Sequence, residues 1–358
     1  TLTKDAYITV VDPTLAPDIA EDTLLINEVL ANPEDGGASF VEIWNGTAGD
    51  IDISGWFLGS EDTNPLGYEI PEGAIVPAGG YLSVLPGGLS LNPLGGYLSL
   101  SSASEGAATG YFQDEGYDAQ PPGRSQGWHE TSVGETDFVP LRETSEEAPN
   151  ALPFIGDVYV SEVYYNPAAD GAFEVIEIHN QGSESIDLGA MGYRCSEALD
   201  FEFPQGATIA PGEYVLIAED PDALRGAFST IPAEALIRGP FDDGRLANGG
   251  ERLLLSREED VGPGAGDILQ DRIDYDDKDP WPESPDGDGA SLTRLGGDLY
   301  GSDPASWEGA APSPGEGEPS APTARLLITE LMYHHPSHLP EADWLEVMNP
   351  GTEAIDLA

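Results

Sequence analysis

The feature that most restricts what this chain can fold into is an order of short apolar runs and turn residues that occurs three times along it. Each occurrence opens with an apolar, polar, Glu, apolar run: Ile26-Asn27-Glu28-Val29, Val160-Ser161-Glu162-Val163 and Ile328-Thr329-Glu330-Leu331. A second run follows in each, Val41-Glu42-Ile43-Trp44-Asn45, Ile176-Glu177-Ile178-His179-Asn180 and Leu345-Glu346-Val347-Met348-Asn349. Ten residues after the second glutamate stands an acid between two aliphatics: Ile51-Asp52-Ile53, Ile186-Asp187-Leu188 and Ile355-Asp356-Leu357. The constant spacing implies one hairpin geometry, with the intervening glycines supplying positive φ without a Cβ clash. Within the second run Val41 and Ile43 share one face while Glu42 and Trp44 share the other, the period of a strand with a buried and a wetter side.

The first two units continue in parallel. Pro77-Ala78-Gly79-Gly80 leads into Tyr81-Leu82-Ser83-Val84, and Pro211-Gly212-Glu213 into Tyr214-Val215-Leu216-Ile217. Gly95-Gly96 and Gly249-Gly250 then precede further strands, a hairpin signal. Only Asp220 to Phe228 reads as helix, with an aspartate able to cap it. The fold expected is therefore all-β, with sandwich or barrel left open by the strand spacing alone. Ser101 to Gln126 reads as a long surface loop and Gly309 to Pro322 as an interdomain linker. The division expected is 1–22 as a strand segment or the end of a preceding module, 23–152 and 153–318 as two complete modules, and 319–358 as the start of a third. Asp5 to Val11 alternates like a strand that ends an earlier module or pairs with a neighbour.

These residues resemble the bacterial lamin tail domain. Its run of short strand motifs is matched by Ile26 to Val29, Phe40 to Asn45, Ile51 to Trp56, Pro71 to Gly73 and Ile75 to Leu82. The second unit matches through Ile186 to Tyr193, with two extra residues before the aromatic. It matches again at Asn248 to Glu251, Asp274-Tyr275, Pro280-Trp281-Pro282, Asp288 to Leu292, Ser306-Trp307 and Ser313-Pro314-Gly315. The resemblance implies tandem immunoglobulin-like β-sandwiches and an accessory role in a secreted or surface protein, sometimes beside a hydrolase or kinase-like domain. Fold analogy gives no ligand.

Charge narrows the partners. With 66 Asp and Glu against 13 Lys and Arg, the net charge is -53, so phosphate backbones and anionic membranes are repelled. Nucleic acid and membrane insertion are not expected. Such self-repulsion suits a saline or calcium-containing medium and an extracellular or cell-surface location. Thr1 opens no signal peptide, so the chain reads as mature or internal sequence. Cys195, the single cysteine, reads as a small buried hydrophobe.

No nucleophile elbow, phosphate loop or dinucleotide fingerprint occurs, and no enzyme is expected. Glu28 with Glu42 would offer an acid–base pair, but recurrence in every unit points to a framework role. His334, His335 and His338 form a proline-interrupted cluster poorly spaced for zinc. Asp274, Asp276, Asp286 and Asp288 are calcium candidates, hard oxygens on flexible turns but without a twelve-residue calcium loop. The sequon Asn45-Gly46-Thr47 reads first as a turn. The function expected is structural, modules building an extracellular fibre, stalk or matrix by head-to-tail or strand-addition contacts between copies. The alternatives are a carbohydrate-binding or adhesive module, with Trp44 and Trp344 stacking on a surface glycan, or the accessory region of a larger secreted enzyme.

Overall fold

The structure, a computed structural model, describes residues 19, 23–34, 36–60, 66–84, 87, 89–168, 174–233, 235–315, 327–332 and 344–348. Alternation in the first unit produces an antiparallel pair, Leu24–Leu30 with Phe40–Asn45, in which Ile26 faces Ile43 and Val29 faces Val41. This pair is the centre of a five-stranded sheet. From edge to edge its order is Thr136–Pro140, Gln126–Glu130, Leu24–Leu30, Phe40–Asn45 and Tyr81–Val84. Its apolar face closes on a second sheet ordered Tyr68–Glu69, Phe57–Gly59, Gly96–Ser104 and Ala107–Tyr117. Ile26, Ile43, Leu58, Leu98 and Leu100 fill the space between, with no more than 1% of any of them exposed.

The second unit repeats the plan with a larger core. Val158–Tyr164 pairs with Val175–Asn180 at the centre of a six-stranded sheet that also holds Ser291–Arg294 and Trp307–Ala310 on one side and Tyr214–Ala218 and Leu236–Arg238 on the other. The last two run parallel, which requires a crossover, and the helix Pro221–Ala227 lies on it. Asp220 caps that helix by accepting the N–H groups of Asp222 and Ala223 at 3.1 and 3.0 Å. Leu253 and Leu255, from the long strand Glu251–Asp260, face Val160 and Ile178 in one core. Cys195 lies in it, 2% exposed, and burial pushes its thiol up to about 12.

Both units carry a bulge at the same place, after Ile26 and after Val160, which leaves Asn27 and Ser161 as extra residues. In each, a side chain of the facing sheet satisfies the backbone N–H: Ile26 donates to Gln113 Oε1 and Val160 to Asp271 Oδ2, both at 3.0 Å. Leu327–Met332 and Trp344–Met348 repeat the register, bulge included, with Ile328 opposite Val347. The shared pattern predicts one buried aliphatic face in all three units, and the third departs from it. Ile43 and Ile178 are fully buried, whereas Val347 is 39% exposed, because among the described residues no facing sheet covers this pair.

Two further expectations change. Ser101 to Gln126 is not a loop: Gly96–Ser104 and Ala107–Tyr117 form a long hairpin. Thr109, Tyr111 and Tyr117 lie on the buried side, but polar Gln113 and Glu115 share that side and Phe112 faces out, which hides the period. Of the linker Gly309 to Pro322, Gly309 and Ala310 end a strand and Ser313 and Gly315 are bonded into the second module; residues beyond Gly315 lie outside the described ones. Asp5 to Val11 and Ile355 to Leu357 also lie outside them.

Candidate functional site

The recurring glutamates sit on the outer face of the central strand pair, Glu28 opposite Glu42 and Glu162 opposite Glu177. The wetter side expected there is in fact covered: Glu28 and Glu42 are 0% exposed, Glu162 and Glu177 3%. What covers them is the segment that follows the last strand of each module. Glu28 accepts the Ser145 N–H at 3.1 Å and the Ser145 hydroxyl at 2.7 Å, while Glu42 accepts the Glu147 N–H and the Asn27 amide, the latter at 2.7 Å. In the second module Glu162 accepts the Ser313 N–H at 3.1 Å and the Ser291 hydroxyl, and Glu177 accepts the Gly315 N–H at 2.6 Å and the Ser161 hydroxyl at 2.7 Å. The residue two after each serine has positive φ, 59° at Glu147 and 76° at Gly315, which turns its N–H inward. The pairs are thus clasps, and their lone pairs are spent on closing the module. Burial pushes Glu42 up to about 7 against the hydrogen bonds from Asn27 and Glu147, and burial likewise raises Glu162 against those from Ser291 and Ser313.

The asparagine that ends the second strand is equally occupied. Asn45 donates to Gly49 and Val76 carbonyls at 2.8 and 3.0 Å, and Asn180 to those of Glu184 and Ile209 at 2.8 and 3.1 Å. The sequon nitrogen at Asn45 is therefore a turn-holding donor, 0% exposed at the residue level.

The calcium candidates are brought together only in part. Asp274 receives Arg252 Nε at 2.8 Å and Arg272 Nε at 3.1 Å, and these hydrogen bonds outweigh burial to hold its carboxyl below the usual range. Asp276 and Asp286 both lie near Tyr165, whose phenol is raised by burial and then by Asp286, Asp277 and Asp276. Asp286 accepts the Asn166 amide at 2.5 Å, and Asp288 is exposed on the following turn. Among the described residues no three or more His, Cys, Asp or Glu are grouped to hold a metal ion. His334, His335 and His338 lie outside the described residues.

Sequence reading missed the joint between the modules. Asp137, on the edge strand of the first, accepts Arg272 Nη2 at 2.6 Å and the Tyr300 hydroxyl at 2.9 Å from the second. Arg272 is held strongly protonated: burial works to lower its pKa, but the Asp274 hydrogen bond and the Tyr300, Asp274 and Asp137 charges outweigh it. Ser132 donates its N–H to Asp303 at 3.0 Å, His129 meets the Tyr300 ring edge-on at 5.2 Å, and Asn32 donates to the Val261 carbonyl at 3.1 Å. Ala119 packs against Val261 and Ile268, and Gly266 is needed there, since a Cβ would come within 2.7 Å of the Ala119 methyl. The connecting chain is itself bonded at both ends: Phe154 N–H to the Pro140 carbonyl and Gly156 N–H to the Gln270 carbonyl, each at 2.8 Å. Scattered single residues carry this contact, so no local motif announces it.

Fold and clasps together define a tandem of immunoglobulin-like β-sandwich modules, each closed by its own glutamate pair. The Lamin Tail Domain family model matches residues 17–146 and again residues 154–267, and the chain belongs to that family. Its fold is of a typically non-catalytic kind. No curated protein and no solved structure matches the chain. Among the described residues, no helix is long and apolar enough to cross a membrane.

Proposed function

We propose that the chain is a stiff, in-line spacer outside the cell, part of a fibre, stalk or matrix built from successive lamin tail modules. The observation that supports this is the joint. In a chain with 13 Lys and Arg against 66 acids, Arg272 is placed between modules on Asp137, with only 13% and 16% of the two side chains exposed. A half-buried, hydrogen-bonded ion pair is screened far less than a surface one, so the joint suits a saline medium. The bonded connector removes the free swivel that a Gly/Ser linker would give. Small-angle X-ray scattering of the intact chain in saline should give one elongated particle of fixed length, and Asp137→Ala should broaden its distance distribution. Scattering typical of two beads on a free tether, unchanged by Asp137→Ala, would remove the reading.

The assembly is tested separately by electron microscopy of the native material, where dispersed monomers in saline count against a fibre. Calcium at the Asp276 and Asp286 turns is part of the same proposal, since a divalent ion there would relieve local repulsion. Its check is a rise in melting temperature on adding calcium that EDTA reverses.

A further inference from the structure

The two modules differ on one face. In the second, the outer face of the central strands carries Tyr159, His179 and Tyr214, with the His179 and Tyr214 rings stacked at 4.3 Å. Over Tyr159 that face is covered. The hairpin joining Ser291–Arg294 to Trp307–Ala310 runs through residues 295–306 and folds over it: Gly297 lies so near Tyr159 that a Cβ would sit 2.5 Å from the ring, and Tyr159 is 2% exposed. In the first module the equivalent hairpin, between Gln126–Glu130 and Thr136–Pro140, spans only residues 131–135. Leu25, Trp44 and Tyr81 occupy the positions of Tyr159, His179 and Tyr214, and among the described residues nothing equivalent to the longer hairpin lies over them. A cavity of about 1170 Å³ opens there, lined also by Phe112 and Trp128.

Its walls are prepared for a particular ligand chemistry. Trp44 and Tyr81 are direct cross-strand neighbours, and the outer edge of the Trp44 six-membered ring lies against Gly46, where a Cβ would come within 2.5 Å of it. Trp128 is fixed by donating its indole N–H to the Ile26 carbonyl at 3.0 Å and by an edge-on contact with Phe138 at 5.5 Å. Phe112 is 57% exposed, a large apolar surface left to solvent beside half-buried rings. The same cavity is lined by Asn27 and Asn150 and by the carboxylates of Asp114, Glu115 and Glu130, and among the described residues no Lys or Arg lines it. Rigid aromatic faces interleaved with acceptors suit sugar rings, which present C–H faces to the first and hydroxyls to the second. The carboxylates and the net charge of -53 reject acidic glycans. Volume beyond the usual range of about 300–1,000 Å³ for a small-molecule site suits a run of rings over a single one.

We propose that this cleft of the first module is a binding site for a glycan chain of uncharged or amine-bearing sugars. The site does not depend on the spacer reading, because it belongs to one module. In the third strand pair Met348 takes the Trp44 position, and Trp344 stands at the other end, in the Phe40 position.

The test is calorimetry and tryptophan fluorescence of the intact chain with three probes: a neutral glucose hexamer, a glucosamine hexamer and a sulfated glycosaminoglycan. The expected result is saturable binding of one or both of the first two, none of the third, and at least a tenfold loss of affinity in both Trp44→Ala and Phe112→Ala. Phe112 is exposed, so its variant folds even where the Trp44 one does not, and unchanged melting of the first module reports that. Failure of both hexamers to bind overturns the proposal. So does binding indifferent to Phe112→Ala, preference for the sulfated chain, or displacement of the sugar by a proline-rich peptide that binds more tightly.

Discussion

The bulge on the first strand poses the same problem in both modules, and they solve it with different chemistry. In the first, the Ile26 N–H meets the neutral amide of Gln113 and Trp128 fills the space beside it. In the second, the Val160 N–H meets the carboxylate of Asp271, and Arg294 answers it through two bonds of 2.6 and 3.2 Å, with 0% and 1% of these side chains exposed. Arg294 also donates to the Val160 carbonyl at 3.2 Å and lies 5.4 and 5.3 Å from the Tyr159 and Trp307 ring centres. The Gln113 amide needs no counter-ion and donates its own N–H to the Asp114 carbonyl at 2.9 Å, whereas a buried carboxylate needs a cation beside it. The charged solution ties the second module to its long hairpin, whose Leu299 carbonyl accepts from Arg294 Nη2, and so covers Tyr159 on the face that the first module leaves open.

The comparison breaks most visibly at that pair. Arg294→Ala strands Asp271 in the core and should cost about 3–5 kcal/mol, melting the second module well before the first. Gln113→Leu orphans a single N–H and should cost about 1–3 kcal/mol in the first. Calorimetry of the two variants checks both values; equal losses would mean that charge is not what separates the modules. Replacing Asp271 with Gln and Arg294 with Trp together, the first module's pairing, should recover much of the loss.

The clasps come next. Glu177→Ala leaves the buried Gly315 N–H and Ser161 hydroxyl without their acceptor, a loss of about 1–3 kcal/mol. Limited proteolysis should then cut near Gly315 while the module remains folded.

The first module's clasp adds a pH dependence. Glu42 is raised from 4.5 to about 7 in the folded chain, so between those values the native state holds a proton that the unfolded state has released. Stability from this group is full below pH 4.5 and is lost as pH rises through 7. The first module should therefore melt higher at pH 5 than at pH 8, and Glu42→Gln should flatten that difference. An unchanged slope in the variant would assign the effect to general charge repulsion.

How much of this was legible follows from the range of the interactions. Ile26, Ile43, Val160 and Ile178 declare themselves by local alternation, and the glutamates by recurrence, so the sandwich cores and the framework role of the acids could be read directly. The Thr109 to Tyr117 strand could not, because Phe112 points outward while polar Gln113 and Glu115 take inward positions. Ser145 and Glu147 lie 117 and 105 residues from their glutamates, and Asp137 lies 135 from Arg272. Contacts of that separation, made by common residue types, leave no pattern in a single sequence. The open cleft was half legible: Trp44 drew notice as an outward aromatic, but its exposure depends on a hairpin being short eighty-odd residues later.

The finest difference between the clasps concerns one backbone angle. The residue that turns its N–H toward the second glutamate is Gly315 in one module and Glu147 in the other, at φ of 76° and 59°. A side chain in the left-handed region costs roughly 1–2 kcal/mol, and glycine offsets part of that gain by about 0.5–1 kcal/mol through its freer unfolded chain. Glu147 is exposed and its clasp contact is made through its backbone, so the substitution sacrifices no side-chain partner. Glu147→Gly should accordingly stabilise the first module by on the order of 0.5 kcal/mol. Gly315→Ala, with ordinary space of 3.5 Å around the added methyl but the same left-handed backbone, should destabilise the second by about 1 kcal/mol. Denaturant midpoints at constant m-value measure both, and opposite signs are required, because the two clasps share a left-handed backbone at this position and differ in whether it carries a Cβ.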